Sequence, residues 1–141
     1  MKNRFPFFHG GVPNLAIGGY ILPPCETGHS AAGRDHLVYF TIDILQAINC
    51  ALIEGGEVYL VKPIGRLSPD DFGVAGPHYT ARRALILNRA PLPPRMVSFE
   101  YRNFDAFFND VIDLERALTD MPSMTSSAGS NSTAPPFYNG I

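Results

Sequence analysis

The stretch LVYFTIDILQAINCALIEGGEVYLV, residues 37–61, decides the fold, because its pattern predicts a strand, a helix and a second strand in immediate succession. Leu37 to Thr41 is a short apolar run that is typical of a buried strand. Apolar residues then recur at spacings of three and four and predict one buried helix face, made of Ile44, Ala47, Ile48, Ala51 and Leu52. Gly55-Gly56 predicts the end of that helix, and Glu57 to Val61 predicts the next strand.

Local chemistry adds detail within this stretch. Thr41 is placed to cap the helix, and Asp43 suits the positive end of the helix dipole. Because side chains alternate along a strand, residues 58–61 are expected to face two sides of the sheet, with Val58 and Leu60 sharing one side.

The residues before this stretch predict one aromatic strand and a long irregular segment. Phe5 to Phe8 is a strand candidate, and the proline inside it favours a sheet edge or a strand start. Gly10-Gly11 stops the run, so His9 is expected at the exit of the strand. Between Val12 and Gly33 we expect loops around a short strand at Tyr20 to Leu22.

The residues after this stretch predict further strands and a last helix. Ala84 to Leu87 predicts a strand, the prolines of residues 91–94 mark a boundary, and Val97 to Tyr101 is a candidate for one more strand. Asn103 is placed to cap a final helix. Its apolar stripe is expected to consist of Phe104, Phe107, Phe108, Val111, Ile112 and Leu118.

Composition limits the class of protein. A chain of 141 residues that is 45% hydrophobic predicts one α+β domain, here residues 1–121, and the weakly apolar residues 122–141 predict a flexible tail. The formal net charge of -2 gives no broad basic surface, so a nucleic acid is not the expected partner. We find neither a membrane-spanning run nor a signal peptide, and we expect a cytoplasmic protein whose two cysteines form no disulfide.

Three polar residues follow strand-like runs in a fixed order. His9 stands 30 residues before Tyr39, and Asp70 follows the strand that begins at Glu57. Each residue alone also fits an ordinary role, such as a turn histidine, a core tyrosine or a solvated turn carboxylate. Their order and their placement at strand ends carry the functional information.

Four segments, three of which contain these residues, resemble the rifamycin-inactivating ADP-ribosyltransferases, which belong to the wider His-Tyr-acidic class typified by diphtheria toxin. The segments are Phe8-His9-Gly10, Val38-Tyr39-Phe40-Thr41, Val58-Tyr59-Leu60-Val61-Lys62-Pro63-Ile64-Gly65 and Pro69-Asp70. The resemblance covers about residues 7–97 and leaves out the last helix and the tail. It implies a small split mixed β-sheet with two main helices.

The resemblance also implies NAD as co-substrate and a role for each residue. His9 would bond the nicotinamide-side ribose, the main chain of Gly10 would hold the carboxamide, and Tyr39 would lie against the nicotinamide. The carboxylate of Asp70, rather than Asp71, would stabilise the positive charge that develops on the ribose when nicotinamide leaves. The implied acceptor is a small molecule of the rifamycin type that carries a hydroxyl group.

Other interpretations remain beside this one. The chain differs from the rifamycin enzymes at Gly11, where they usually have Thr, at Asn49-Cys50 and at Lys62. These differences concern the acceptor more than the NAD site. The same chemistry on a protein or nucleic-acid acceptor, as in toxins or phage effectors, is one alternative, and a non-catalytic nucleotide-binding module is another.

Two further sets of residues are candidates for a metal site and for a pyrophosphate-binding site. Cys25, His29 and His36 are soft ligands, but their spacing matches no usual zinc site, and we predict no metal. Arg82-Arg83 is a candidate for binding the NAD pyrophosphate, although two solvated loop charges explain it as well.

Overall fold

The computed structural model describes residues 6–23, 37–70 and 78–120, and within them the chain forms one seven-stranded sheet and three helices. The strands are β1 Phe7–Gly11, β2 Tyr20–Ile21, β3 Val38–Thr41, β4 Glu57–Ile64, β5 Ser68–Asp70, β6 His78–Ala81 and β7 Arg83–Pro91. The helices are α1 Ile44–Glu54, α2 Pro94–Ser98 and α3 Phe104–Thr119. The strands lie in the order β2-β7-β4-β1-β3-β6-β5.

The α+β class is confirmed, and α1 and α3 are the two main helices. The expectation of a mixed sheet is wrong for the described strands, because every neighbouring pair in them is antiparallel. The reason is the position of β1. Strands β3 and β4, which α1 connects, run in the same direction, but β1 lies between them and pairs antiparallel with both.

The sheet has two apolar faces, and the alternation in β4 is confirmed. Val58 and Leu60 lie on the helix face, which α1, α2 and α3 cover, whereas Tyr59 and Val61 lie on the opposite face, called here the second face. The core of the helix face contains Phe8, Ile44, Ala47, Ile48, Ala51, Val58, Leu60, Ala90, Leu92, Met96, Val111, Leu114 and Leu118. The core of the second face contains Phe7, Ile21, Val38, Phe40, Tyr59, Val61, Ala81, Ala84 and Ile86.

Helix α1 differs from its prediction at the N-cap and agrees with it at the C-terminus. Its N-cap is Asp43, whose side chain accepts a hydrogen bond from Leu45 N, so the prediction of Thr41 as the cap is wrong. Thr41 instead accepts a hydrogen bond from Asp43 N through its hydroxyl oxygen and thereby positions the cap. The helix ends as predicted at Gly55, which has a left-handed φ of 70°.

Several strand predictions need correction. Strand β1 is central rather than at an edge, and His9 lies in its middle, because Gly10 and Gly11 continue the pairing with β4. Strand β4 is longer than predicted, because it continues past Val61 and through Pro63 to Ile64. The strand proposed at Val97 to Tyr101 is wrong, because Pro94 starts the short helix α2 over part of that range.

Helix α3 begins at its predicted cap, where Asn103 Oδ1 accepts a hydrogen bond from Ala106 N. Its predicted apolar stripe is partly wrong. The buried residues are Val111, Leu114 and Leu118, because the C-terminal half of the helix packs on the sheet. In the first turn Phe104 is 75% exposed, whereas Phe107 is partly buried against the core of the helix face.

Some predictions fall outside the described residues: the tail of residues 122–141, Asp71, and the set Cys25, His29 and His36. Cys50 is a free thiol. Each helix in the described ranges is too short or too polar to span a lipid bilayer.

Candidate functional site

The sheet opens between β1 and β3. As the structure describes these strands, their registered pairing consists of one residue pair, Phe8 with Thr41, whereas β1 pairs with β4 over all five of its residues. Beyond Phe8 no further pair of residues is in register between these two strands, so Gly10 and Tyr39 are not paired with each other. This interruption of the pairing between two central strands, called here the opening, is the candidate site.

The side chain of His9 reaches across the opening. Its Nδ1 atom lies 2.7 Å from the carbonyl oxygen of Tyr39, and because a carbonyl only accepts hydrogen bonds, Nδ1 carries the proton and donates. The other ring nitrogen, Nε2, is then unprotonated in the neutral ring and accepts a hydrogen bond from any suitable donor.

Electrostatics favour this neutral form. Burial lowers the pKa of His9 below its ordinary value, and this outweighs the opposing effects of the hydrogen bond to Tyr39 and of the negative charge of Glu54. A histidine held neutral, with one nitrogen fixed by the main chain, presents a hydrogen-bond acceptor in a fixed direction.

Gly11 leaves room for the His9 ring. A Cβ atom at Gly11 would lie 2.7 Å from His9 Nε2, closer than ordinary contact allows. A residue with a Cβ atom at position 11 is therefore incompatible with this position of the His9 ring.

Gly10 has a packing role on the helix face. A Cβ atom there would overlap the carbonyl oxygen of Ala47 and would lie 2.7 Å from Ala51 N. The main chain of α1 therefore packs directly on β1. This close approach by itself explains a glycine at position 10.

Tyr39 contributes its main chain to the contact with His9. Its neighbours Val38 and Phe40 belong to the core of the second face, so alternation along β3 places the half-buried Tyr39 side chain on the helix face. The His9 ring lies on the second face, 6.4 Å from the ring of Tyr59. The structure thus brings the His9 ring to the Tyr39 main chain, with the two side chains on opposite faces.

Asp70 is the last residue of β5, at the edge of the sheet. Its main chain is opposite His78, which is itself opposite Thr41 on β3. Since neighbouring strands lie about 4.8 Å apart, the Cα atom of Asp70 stands about 14 Å from that of Phe8 on β1. The register therefore brings His9 and Tyr39 together and leaves Asp70 farther from both.

Sequence reasoning missed a polar network next to the site. Glu57 on β4 forms a bidentate ion pair with Arg89 on β7, with N–O distances of 3.0 and 3.1 Å, and Glu57 is only 6% exposed. A signal existed, since the alternation of β4 places Glu57 on the same buried face as Tyr59, and a charge on a buried face needs a partner. Its partner, Arg89, comes from a distant strand that the sequence does not identify.

Comparison with known proteins adds no relative, since the chain matches no protein-family model and no curated protein sequence.

Proposed function

We propose that this chain is an NAD-dependent ADP-ribosyltransferase with an ADP-ribosyltransferase-like fold. One observation carries the proposal: the neutral His9 ring is fixed across the opening between β1 and β3 by its 2.7 Å hydrogen bond to Tyr39 O. The residues suit NAD, because its ribose hydroxyls are donors and His9 Nε2 is an acceptor.

The proposal assigns a chemical task to each residue at the opening. His9 Nε2 accepts a hydrogen bond from a hydroxyl of the nicotinamide-side ribose and fixes that ring. In this proposal the nicotinamide extends through the opening to the helix face, on the side of the sheet away from the His9 ring, and it packs there against the phenol ring of Tyr39. The main chain of Gly10, just beyond the last residue of β1 that is paired with β3, bonds the carboxamide.

An acid completes the reaction in this proposal. When the bond between ribose and nicotinamide breaks, the ring leaves neutral and positive charge develops on the ribose. A nearby carboxylate stabilises that charge, and we assign this task to Asp70. The acceptor hydroxyl then forms a bond to the ribose carbon that nicotinamide has left, and its proton passes to the carboxylate of Asp70.

The proposed acceptor is a small hydroxylated molecule of the rifamycin type. The net charge of -2 agrees with an uncharged acceptor better than with a nucleic-acid backbone. Modification of a protein or nucleic acid is the alternative, and both versions share the NAD chemistry.

The experiment follows nicotinamide release from NAD, with and without rifampicin, and measures modified rifampicin by mass spectrometry. Wild-type protein should release nicotinamide and add ADP-ribose to rifampicin, and His9→Ala should lose most of this activity. Phe104→Ala, which changes an exposed residue on α3, serves as the control and should retain it.

Two results would change the proposal. Nicotinamide release without modified rifampicin, together with ADP-ribose on a protein or nucleic acid, would keep the transferase and replace the acceptor. No NAD binding by calorimetry up to millimolar NAD would refute the transferase.

A further inference from the structure

A row of three side chains crosses the centre of the second face. His9 on β1 is opposite Tyr59 on β4, and Tyr59 is opposite Arg89 on β7. Residues opposite each other on neighbouring strands point to the same face. Tyr59 is fully buried in this row and lies directly beside the candidate NAD site.

The Tyr59 hydroxyl is bonded to the loop that follows β1. It donates a hydrogen bond to Val12 O at 2.6 Å and accepts one from Leu15 N at 3.1 Å. One hydroxyl therefore joins two main-chain groups three residues apart and fixes the curvature of residues 12–15. This segment is called here the β1 loop.

The ion pair of Glu57 and Arg89 holds the same loop. Asn14 N donates to Glu57 Oε2 at 3.4 Å, and Arg89 donates to Leu15 O at 3.4 Å and to Asn14 Oδ1 at 3.3 Å. Asn14 has a left-handed φ of 68°, which is uncommon for a residue with a side chain. The network thus stabilises a loop conformation that the main chain does not favour by itself.

Apolar burial contributes less to the order of the β1 loop. Val12 is 42% exposed, and Asn14 is also exposed. Leu15 packs only partly against the core of the second face. The loop is therefore held mainly by polar contacts from β4 and β7.

We propose that Tyr59 and Arg89 are positioning residues that hold the β1 loop as a fixed wall beside His9, so that NAD binds to a preformed site. The inference rests on the proposed function. The loop leaves the sheet at Gly11, the residue over which His9 Nε2 lies. A wall that is ordered before binding spares the ligand the entropic cost of ordering it.

The test compares Tyr59→Phe with wild type in steady-state nicotinamide release and in amide hydrogen exchange. The variant keeps the ring that packs beside His9 and removes both hydrogen bonds to the loop. We expect the KM for NAD to rise about tenfold with kcat changed less than twofold, because a binding surface is lost and the reacting groups remain. Exchange at Leu15 N should become faster.

A matched control and a second variant make the result specific. Tyr101→Phe is the same substitution at a hydroxyl that donates to Asp110 at 2.7 Å, near α2 and α3, and it should leave the KM unchanged. Arg89→Lys keeps the positive charge but removes the guanidinium contacts to Asn14 and Leu15. It should raise the KM about threefold.

The outcomes separate this inference from the proposed function. If wild type turns over NAD and both Tyr59→Phe and Arg89→Lys keep its KM, the positioning role is wrong and the proposed function stands. If exchange at Leu15 N becomes faster while the KM stays constant, the network is only structural and the inference is also wrong. If wild type neither binds nor turns over NAD, the proposed function itself fails.

Discussion

Replacing Gly10 with alanine tests the packing of α1 directly on β1. The new methyl group would overlap Ala47 O and approach Ala51 N to 2.7 Å. Both atoms belong to the main chain of a helix, which cannot rotate away as a long side chain does. Both alanines are fully buried, so the helix has to move as a unit away from the sheet.

The size of the effect follows from this geometry. Overpacking a close-packed core costs about 3 kcal/mol when main-chain atoms have to move, which corresponds to a fall of about 10 °C in the Tm of a domain of this size. Gly18→Ala is the control, because a Cβ atom there meets nothing within 4 Å and only its positive φ of 90° opposes the change. We expect that control to cost about 1 kcal/mol.

Urea unfolding followed by circular dichroism measures both variants. A loss of stability in Gly10→Ala no larger than in Gly18→Ala would refute the packing argument. If Gly10→Ala then also failed to bind NAD, the glycine would be explained by ligand approach instead of by the helix.

Three further predictions concern other residues. The free energy of unfolding should fall less in His9→Gln than in wild type when the pH falls from 7 to 5. Because the folded-state pKa of neutral His9 is lowered, the stability that His9 contributes is present above the ordinary histidine pKa and is lost as the pH falls through the folded-state pKa. Urea titrations at each pH would measure this. Asp70→Asn should reduce NAD turnover about a hundredfold with little change in NAD affinity, whereas Asp71→Asn should change neither. If Asp71→Asn has the larger effect on turnover, Asp71 and not Asp70 is the catalytic acid. Phe99→Gly should raise the unfolding free energy by about 0.5 kcal/mol, because Phe99 has a φ of 59° and is 72% exposed, and an unchanged or lower urea midpoint would contradict this.

Local signals predicted the elements whose chemistry lies within a few residues. The apolar spacing of α1, its stop at Gly55 and the cap at Asn103 are all of this kind. The two faces of β4 were also predictable, because successive side chains along a strand point to opposite faces of the sheet. Such features depend on neighbours in the sequence.

The errors concern features that distant residues decide. Nothing near Phe7 shows that β1 lies between two strands that come later in the chain. The exposure of Phe104 depends on which part of α3 packs on the sheet, and residues far away in the sequence determine that packing. Pro94 is compatible with the start of a helix and with a loop. In the structure it begins α2, whose Met96 packs in the core of the helix face.

Only part of the site was predictable, because its contacts join residues that are far apart in the sequence. The sequence drew attention to His9 and Tyr39, but not to the hydrogen bond between a ring nitrogen and a main-chain carbonyl. The contacts of Tyr59 and Arg89 with the β1 loop follow from strand register. The sequence alone does not show which residues of neighbouring strands lie opposite each other, so it identifies candidate residues but not their contacts.

The central position of β1 has a consequence for how the protein acquires its structure during synthesis. Phe8 pairs with Thr41, and Phe7 pairs with Val61, so β1 is synthesised before either of its partners, β3 and β4. Contacts between residues far apart in sequence slow folding. Phe7 and Phe8 therefore lack their strand partners until Val61 has been synthesised, and we expect the nascent chain to need protection from association during that interval.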